Sequence, residues 1–144
     1  MLNSKMEIER ILTRYGADRH GVMAEPGRAF VVFERGGRRV QIEMFLPHPE
    51  DKIFKAVNSS AKRSAGDFDA AKHEQACRQK WRALVLMLKA KLEAVESGIT
   101  SFEQEFLAHL VLPNGQGTVG KWLGPQLESA YKTGRMPPLL GAGS

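Results

Sequence analysis

The 144-residue chain has one cysteine, two tryptophans, two tyrosines and no apolar run longer than Ala83–Leu88. Each scarcity excludes something. A lone Cys77 has no partner for an internal disulfide, so packing must hold the fold and an oxidising compartment is not indicated. The short apolar run falls far below the ~20 residues of a membrane-spanning helix. The opening residues MLNSKMEIER carry no apolar signal core. A soluble, cytoplasmic protein without membrane contact is therefore expected. There is no CxxC, no GxxxxGK[ST] and no GxGxxG, which removes the usual signatures of zinc, P-loop and dinucleotide sites. Gly115-Gln116-Gly117 is too short to cradle a phosphate alone. No segment repeats and none is of low complexity. No cofactor is expected, and catalysis ranks last among the functional readings.

What the chain does have is basic charge and periodicity. Net charge is +5, and residues 1–66 hold 12 of the 21 Lys/Arg against 8 of the 16 Asp/Glu. Such an excess suits nucleic acid or another acidic partner, although a solvated basic surface is the plainer explanation.

The longest periodic stretch is Asp67 to Gly98. Cys77, Trp81, Leu84, Val85, Leu88, Leu92 and Val95 recur at steps of three and four, the mark of one helical face. No proline or glycine interrupts the stretch, Asp67 or Asp69 can cap its first amides, and Gly98 suits its C-terminal end. At ~1.5 Å per residue the helix would be about 45 Å long. Before it, Ser4–Tyr15 reads as an amphipathic helix with Ile8, Ile11, Leu12 and Tyr15 inward, opened by a Ser4/Glu7 capping box and ended by Gly16.

Residues 20–46 switch to a period of two. Val22–Ala24 is a short strand closed by Glu25-Pro26-Gly27. Arg28–Glu34 and Arg39–Leu46 form a hairpin, because Gly36-Gly37 is a strong two-residue turn signal. That turn fixes the register: Arg35 faces Arg38, Glu34 faces Arg39, Phe33 faces Val40, Val31 faces Ile42 and Ala29 faces Met44. One face is then wholly apolar and should lie on the long helix. The other, with Arg28, Phe30, Val32, Glu34, Arg39, Gln41, Glu43 and Phe45, is mixed. Residues 47–66 look like a long basic loop, pinned by Ile53, Phe54 and Val57. After the long helix, Thr100-x-x-Glu103 suggests a capped helix with Phe102, Phe106, Leu107 and Leu110 inward. Leu112–Gly115 is a turn. Thr118 caps a last helix carrying Val119, Trp122, Leu123, Leu127 and Tyr131, with Pro125 inside and Gly134 at its end. Residues 141–144 read as a flexible tail. The expected architecture is α+β, a single domain over 1–140: a three-stranded antiparallel meander on one long helix with two or three shorter helices.

Candidate chemistry is sparse. His73 and Cys77 lie four apart on the long helix, but zinc wants three or four ligands, so a solvent-side histidine beside a buried thiol is the simpler reading. Glu93, Glu96, Glu103 and Glu105 could bind Mg²⁺; helix-terminal roles account for them better. His20, His48 and His109 have no motif around them. The most informative constellation is the hairpin. Arg35, Arg38 and Arg39 cluster at its tip, Arg28 stands at its base, and Phe30 and Phe45 lie on the mixed face. Charges would take phosphates and rings would stack on bases, with Lys52, Lys55, Lys62 and Arg63 of the 47–66 loop adding phosphate contacts. The competing reading is that terminal helices cover the aromatics and the arginines only keep the edge soluble.

The stretch Glu74–Leu92, EQACRQKWRALVLMLKAKL, and its continuation through residues 94–140 resemble a family of small uncharacterised bacteriophage and prophage proteins. The resemblance implies a phage setting, hence a host-cell cytoplasm, and a role in DNA metabolism or in blocking host defences. It carries no catalytic residues. The expectation is a non-catalytic nucleic-acid-binding accessory protein, with DNA ahead of RNA as its partner. The alternative is an inhibitor of a host protein, or a dimeric scaffold acting through the long helix. A homodimer is expected through the first turns of that helix, around Phe68, Ala71 and Cys77, for which the sequence offers no obvious internal cover.

Overall fold

The structure is a computed structural model that describes residues 2–51, 54 and 69–136. It is α+β. A first helix, α1 (Leu2–Arg14), leads into a three-stranded antiparallel sheet of β1 (Arg19–Glu25), β2 (Arg28–Arg35) and β3 (Arg38–Phe45) in the order β1-β2-β3. The long helix α2 (Ala70–Glu96), the one-turn α3 (Phe102–Glu105), a 3₁₀ turn (Leu107–His109) and α4 (Val119–Thr133) follow.

The hairpin register is the one expected. Arg35 pairs with Arg38, Phe33 with Val40, Val31 with Ile42 and Ala29 with Met44. Gly36 and Gly37 take φ of +57° and +77°, the successive left-handed pair that a two-residue turn of this kind needs. β1 is longer than the three residues expected. It pairs with β2 along its whole length, from Arg19 opposite Glu34 to Glu25 opposite Arg28. Its period-two signal is weak because Gly21 and Ala24 contribute little hydrophobicity to either side.

The inward face of the hairpin meets α1 and α2. Ile8, Leu12, Val31, Phe33, Val40, Trp81, Leu88 and Leu92 are essentially inaccessible and belong to one cluster with Phe106 and Leu110. Of the expected long-helix stripe, Trp81, Leu84, Val85, Leu88 and Leu92 are buried, while Cys77 and Val95 at its ends are half-buried. Phe33 meets Phe102 and Phe106 edge-on, at centroid distances of 6.1 and 5.5 Å, and so ties the hairpin to α3. At its N-terminus α2 is capped by Asp69, which accepts from the Lys72 amide at 3.1 Å.

Several local expectations are corrected. Helix α1 begins at Leu2, so Ser4 lies inside its first turn instead of capping it. The cap of α3 is Ser101, accepting from the Gln104 amide at 3.1 Å; Ser101/Gln104 is itself a capping-box pair, one residue on from Thr100/Glu103. Helix α3 ends after a single turn, which leaves Leu107 half exposed instead of inward. The first turns of α2 do have an internal cover. Phe54 is buried, its ring meets His73 edge-on at 5.0 Å, and the Pro47 carbonyl lies 2.9 Å from His73 Nε2. His73 is thus a packed, half-buried residue, not a solvent-side one. The loop pins expected at Ile53 and Val57, together with Phe68 and the 141–144 tail, lie outside the described residues. Among the described residues no helix is long and apolar enough to cross a membrane.

Candidate nucleic-acid interface

Alternation along β2 and β3 divides the candidate residues between two environments. Residues 29, 31 and 33 of β2 and 40, 42 and 44 of β3 point to the core. By the same parity Arg35 and Arg38 also project to the core side, beyond its apolar edge. There they meet carboxylates from the end of α2 and from α3. Arg35 Nη2 lies 3.3 Å from Glu96, and its guanidinium carbon sits 5.6 Å from the centre of the Phe102 ring. Arg35 Nη1 is buried with no hydrogen-bond partner. Arg38 Nε is 3.5 Å from Glu103. Two of the three tip arginines therefore fasten the hairpin to the helices. Sequence parity could have revealed this; the carboxylates that receive them, more than 60 residues further along, could not be located from sequence.

Arg39 and Arg28 project to the opposite, outward face. Its rows across the three strands are Arg19–Glu34–Arg39, Gly21–Val32–Gln41, Met23–Phe30–Glu43 and Glu25–Arg28–Phe45. Phe45 is 68% exposed and Met23 62%, whereas Phe30 is half-buried beneath the Arg28 guanidinium, 5.1 Å from the ring centre. Arg28 also pairs with Glu25 and, at 3.4 Å, with Glu43. These carboxylates hold its guanidinium even more firmly protonated than usual, through the hydrogen bond to Glu25 first and the charge of Glu25 second. Arg19 pairs with Glu34 at 2.7 Å. Arg39 is exposed and forms no ion pair among the described residues. Helix α4 touches this face through Lys121, whose ammonium lies 3.2 Å from Glu43. Lys52, Lys55, Lys62 and Arg63 lie outside the described residues.

The other candidates have structural partners. Tyr15 donates its hydroxyl proton to Glu93, and Lys91 pairs with Glu105 at 3.2 Å. With Glu96 and Glu103 already engaged, the four carboxylates are tied into packing. Cys77 Sγ lies 3.5 Å from His73 Nε2, and burial raises the thiol's pKa above its ordinary value, the opposite of an activated nucleophile. Among the described residues no three His, Cys, Asp or Glu side chains converge as a metal site. A groove that sequence reasoning missed runs between the N-terminal halves of α1 and α2, lined by Asn3, Ser4, Gln75, Arg78, Gln79 and Arg82. The i, i+3, i+4, i+7 spacing of the α2 residues was its available signal.

No protein-family model, no curated protein and no solved structure matches this chain.

Proposed function

We propose that the protein is a non-catalytic nucleic-acid-binding accessory protein that holds a single strand, DNA ahead of RNA, on the outward face of its sheet. In the phage setting implied by the resemblance of residues 74–140, its role would lie in DNA metabolism. The observation that carries the reading is the combination on one face of exposed Phe45, half-buried Phe30 and Arg39 without a carboxylate partner among the described residues. Flat side chains on a sheet offer stacking surfaces to bases, and the unpaired Arg39 guanidinium, at the other end of β3 from Phe45, offers a phosphate contact. Arg35 and Arg38 belong to the hairpin's attachment and contribute to binding only indirectly.

Fluorescence anisotropy with a labelled single-stranded DNA oligonucleotide, its RNA counterpart and a duplex, each at two salt concentrations, tests this. Phe45→Ala should weaken single-strand binding by about 1–3 kcal/mol if one base stacks there. Arg39→Ala should lower the salt slope by ~0.7, the increment for one phosphate contact on a single strand. Unchanged affinity in both variants would refute the sheet-face reading.

A second reading, inhibition of a host protein, draws on α4. Trp122, Leu127 and Tyr131 remain partly or largely exposed there, and aromatic anchors of this kind favour protein contacts. Loss of partner capture on Leu127→Asp/Tyr131→Asp substitution, with oligonucleotide binding unchanged, would support that reading instead.

A further inference from the structure

Strand β1 is a sheet edge, and its sequence is self-complementary. The sheet has two edges. The β3 edge is partly occupied: Leu110 bridges to Val40, and the Val111 amide donates to the Arg39 carbonyl at 2.8 Å. On its outer side β1 has no strand partner among the described residues. His20 and Ala24 point to the core side yet are exposed. Helix α1 reaches this side of the strand through Thr13, whose hydroxyl lies 3.1 Å from His20 Nε2, but among the described residues no backbone bond reaches the strand's outer edge. The strand contains neither proline nor lysine, two of the devices by which proteins blunt an open edge.

The direction of the unused backbone groups follows from the turn. Glu25 and Arg28 flank a two-residue turn and form the hydrogen-bonded pair that closes it. Because such pairs alternate along an antiparallel ladder, residues 25, 23, 21 and 19 spend their N–H and C=O groups on β2. His20, Val22 and Ala24 direct theirs outward.

We infer that β1 pairs antiparallel with β1 of a second copy of this chain across a two-fold axis through Val22, joining the two sheets into one. Only this register uses the outward groups of all three residues, placing Val22 opposite the partner's Val22 and His20 opposite the partner's Ala24. The side chains at the strand ends, which within the chain pair as Arg19 with Glu34 and Glu25 with Arg28, then also face opposite charges across the axis. Arg19 at one end of the strand meets the partner's Glu25 at the other, and the two-fold axis makes the contact twice. Gly21 meets the partner's Met23 in a non-hydrogen-bonded pair, where side chains approach most closely.

A side chain and a gap of the right kind are present. Met23 is 62% exposed, and a Cβ placed on Gly21 would touch nothing within 4 Å. Beside Gly21 lies an open groove of about 320 Å³, bounded by Arg19, Val32, Glu34 and Arg39. The partner's methionine fills it. Charges of opposite sign at the two strand ends disfavour parallel pairing and shifted registers, which gives the edge a specific partner instead of a general tendency to aggregate.

Sedimentation equilibrium of the whole chain across the micromolar range is the first test, and it should give twice 16.0 kDa, with dissociation on dilution. The amides of His20, Val22 and Ala24 should exchange slowly in the dimer and fast once it is diluted apart. Charge reversal supplies the decisive arm. Arg19→Glu and Glu25→Arg each place like charges opposite one another twice, so each variant alone should sediment as a single chain. Mixed in equal amounts they should pair with each other, because opposite signs then meet at both ends. Denaturation midpoints of the separate variants check that each remains folded. A wild-type mass of one chain throughout, or a wild-type dimer that both reversals leave intact, would overturn the inference.

Discussion

Helix α2 offers a controlled test of the fold, because the same substitution can be made two residues apart in opposite environments. Leu88 is 0% exposed within the main core, while Leu86 is 60% exposed. Leu→Ala changes helix propensity equally at both positions and slightly in favour of Ala. The difference between the two variants therefore isolates burial. At Leu88 the transfer term and the cavity left behind should together cost about 2–5 kcal/mol. At Leu86 the change should stay within about 0.5 kcal/mol, as at most surface positions. A urea slope of ~2 kcal/mol/M turns the first figure into a midpoint lowered by roughly 1–2.5 M. That is a large share of the ~5–15 kcal/mol that holds a domain together. Urea titrations followed by Trp fluorescence and by circular dichroism should give coincident transitions with unchanged slopes. Equal midpoint shifts for Leu86→Ala and Leu88→Ala would mean that α2 turns a different face to the sheet, and the placement of the hairpin would fall with it.

Gly120→Ala should destabilise the protein, although Ala gains about 1 kcal/mol over Gly in helix propensity; the new Cβ would lie 2.9 Å from the Ala108 carbonyl oxygen, and a thermal melt shows the sign. Arg35→Ala should cost about 1 kcal/mol through its partly exposed ion pair and ring contact, whereas Arg39→Ala should stay within about 0.5 kcal/mol; paired urea titrations compare them, and the order of effects on oligonucleotide affinity should be the reverse. Burial first and the Lys91 charge second lower the His109 pKa below its ordinary value of 6.5, so its contribution to stability is present above that value and is lost as pH falls through the lowered one. His109→Gln should flatten the acid side of the stability–pH curve, measured as urea midpoints between pH 7.5 and pH 5.

The elements legible in the sequence were those where local and periodic signals agree. The hairpin register followed from Gly36-Gly37 together with two apolar alternations, and the long-helix face followed from steps of three and four; both constraints are short-range. The misplaced features depend on choices that composition leaves nearly balanced. Thr100/Glu103 and Ser101/Gln104 are both valid capping boxes, and the start of α3 differs between them by one residue. The exposure of Leu107 follows from α3 ending after one turn, which the hydrophobic pattern does not encode. Phe54 was legible as a pin of the 47–66 loop and is buried; what local pattern could not show is that it packs, with the Pro47 carbonyl beside it, on His73 at the start of α2.

The hairpin arginines carry the clearest consequence for function. Counted as a cluster, Arg35, Arg38 and Arg39 look like one basic tip. Strand parity divides them: the alternation that sends Phe33 and Val40 inward also sends Arg35 and Arg38 to the core side, and only Arg39 joins Arg28 on the outward face. The two inward arginines have found Glu96 and Glu103, so much of the charge that looked available for phosphate is already neutralised within the fold. A polyanion competing for them would have to break the contacts that seat the hairpin against α2 and α3. The outward face demands no such exchange. Phe45 is exposed and Arg39 has no carboxylate partner among the described residues, so contact there buries apolar area and pairs charge without dismantling the hairpin's attachment. Binding with little rearrangement is the cheaper route, because reorganisation of the free protein subtracts directly from affinity. For that reason the outward sheet face, and not the hairpin tip, is where a ligand of this protein should be sought.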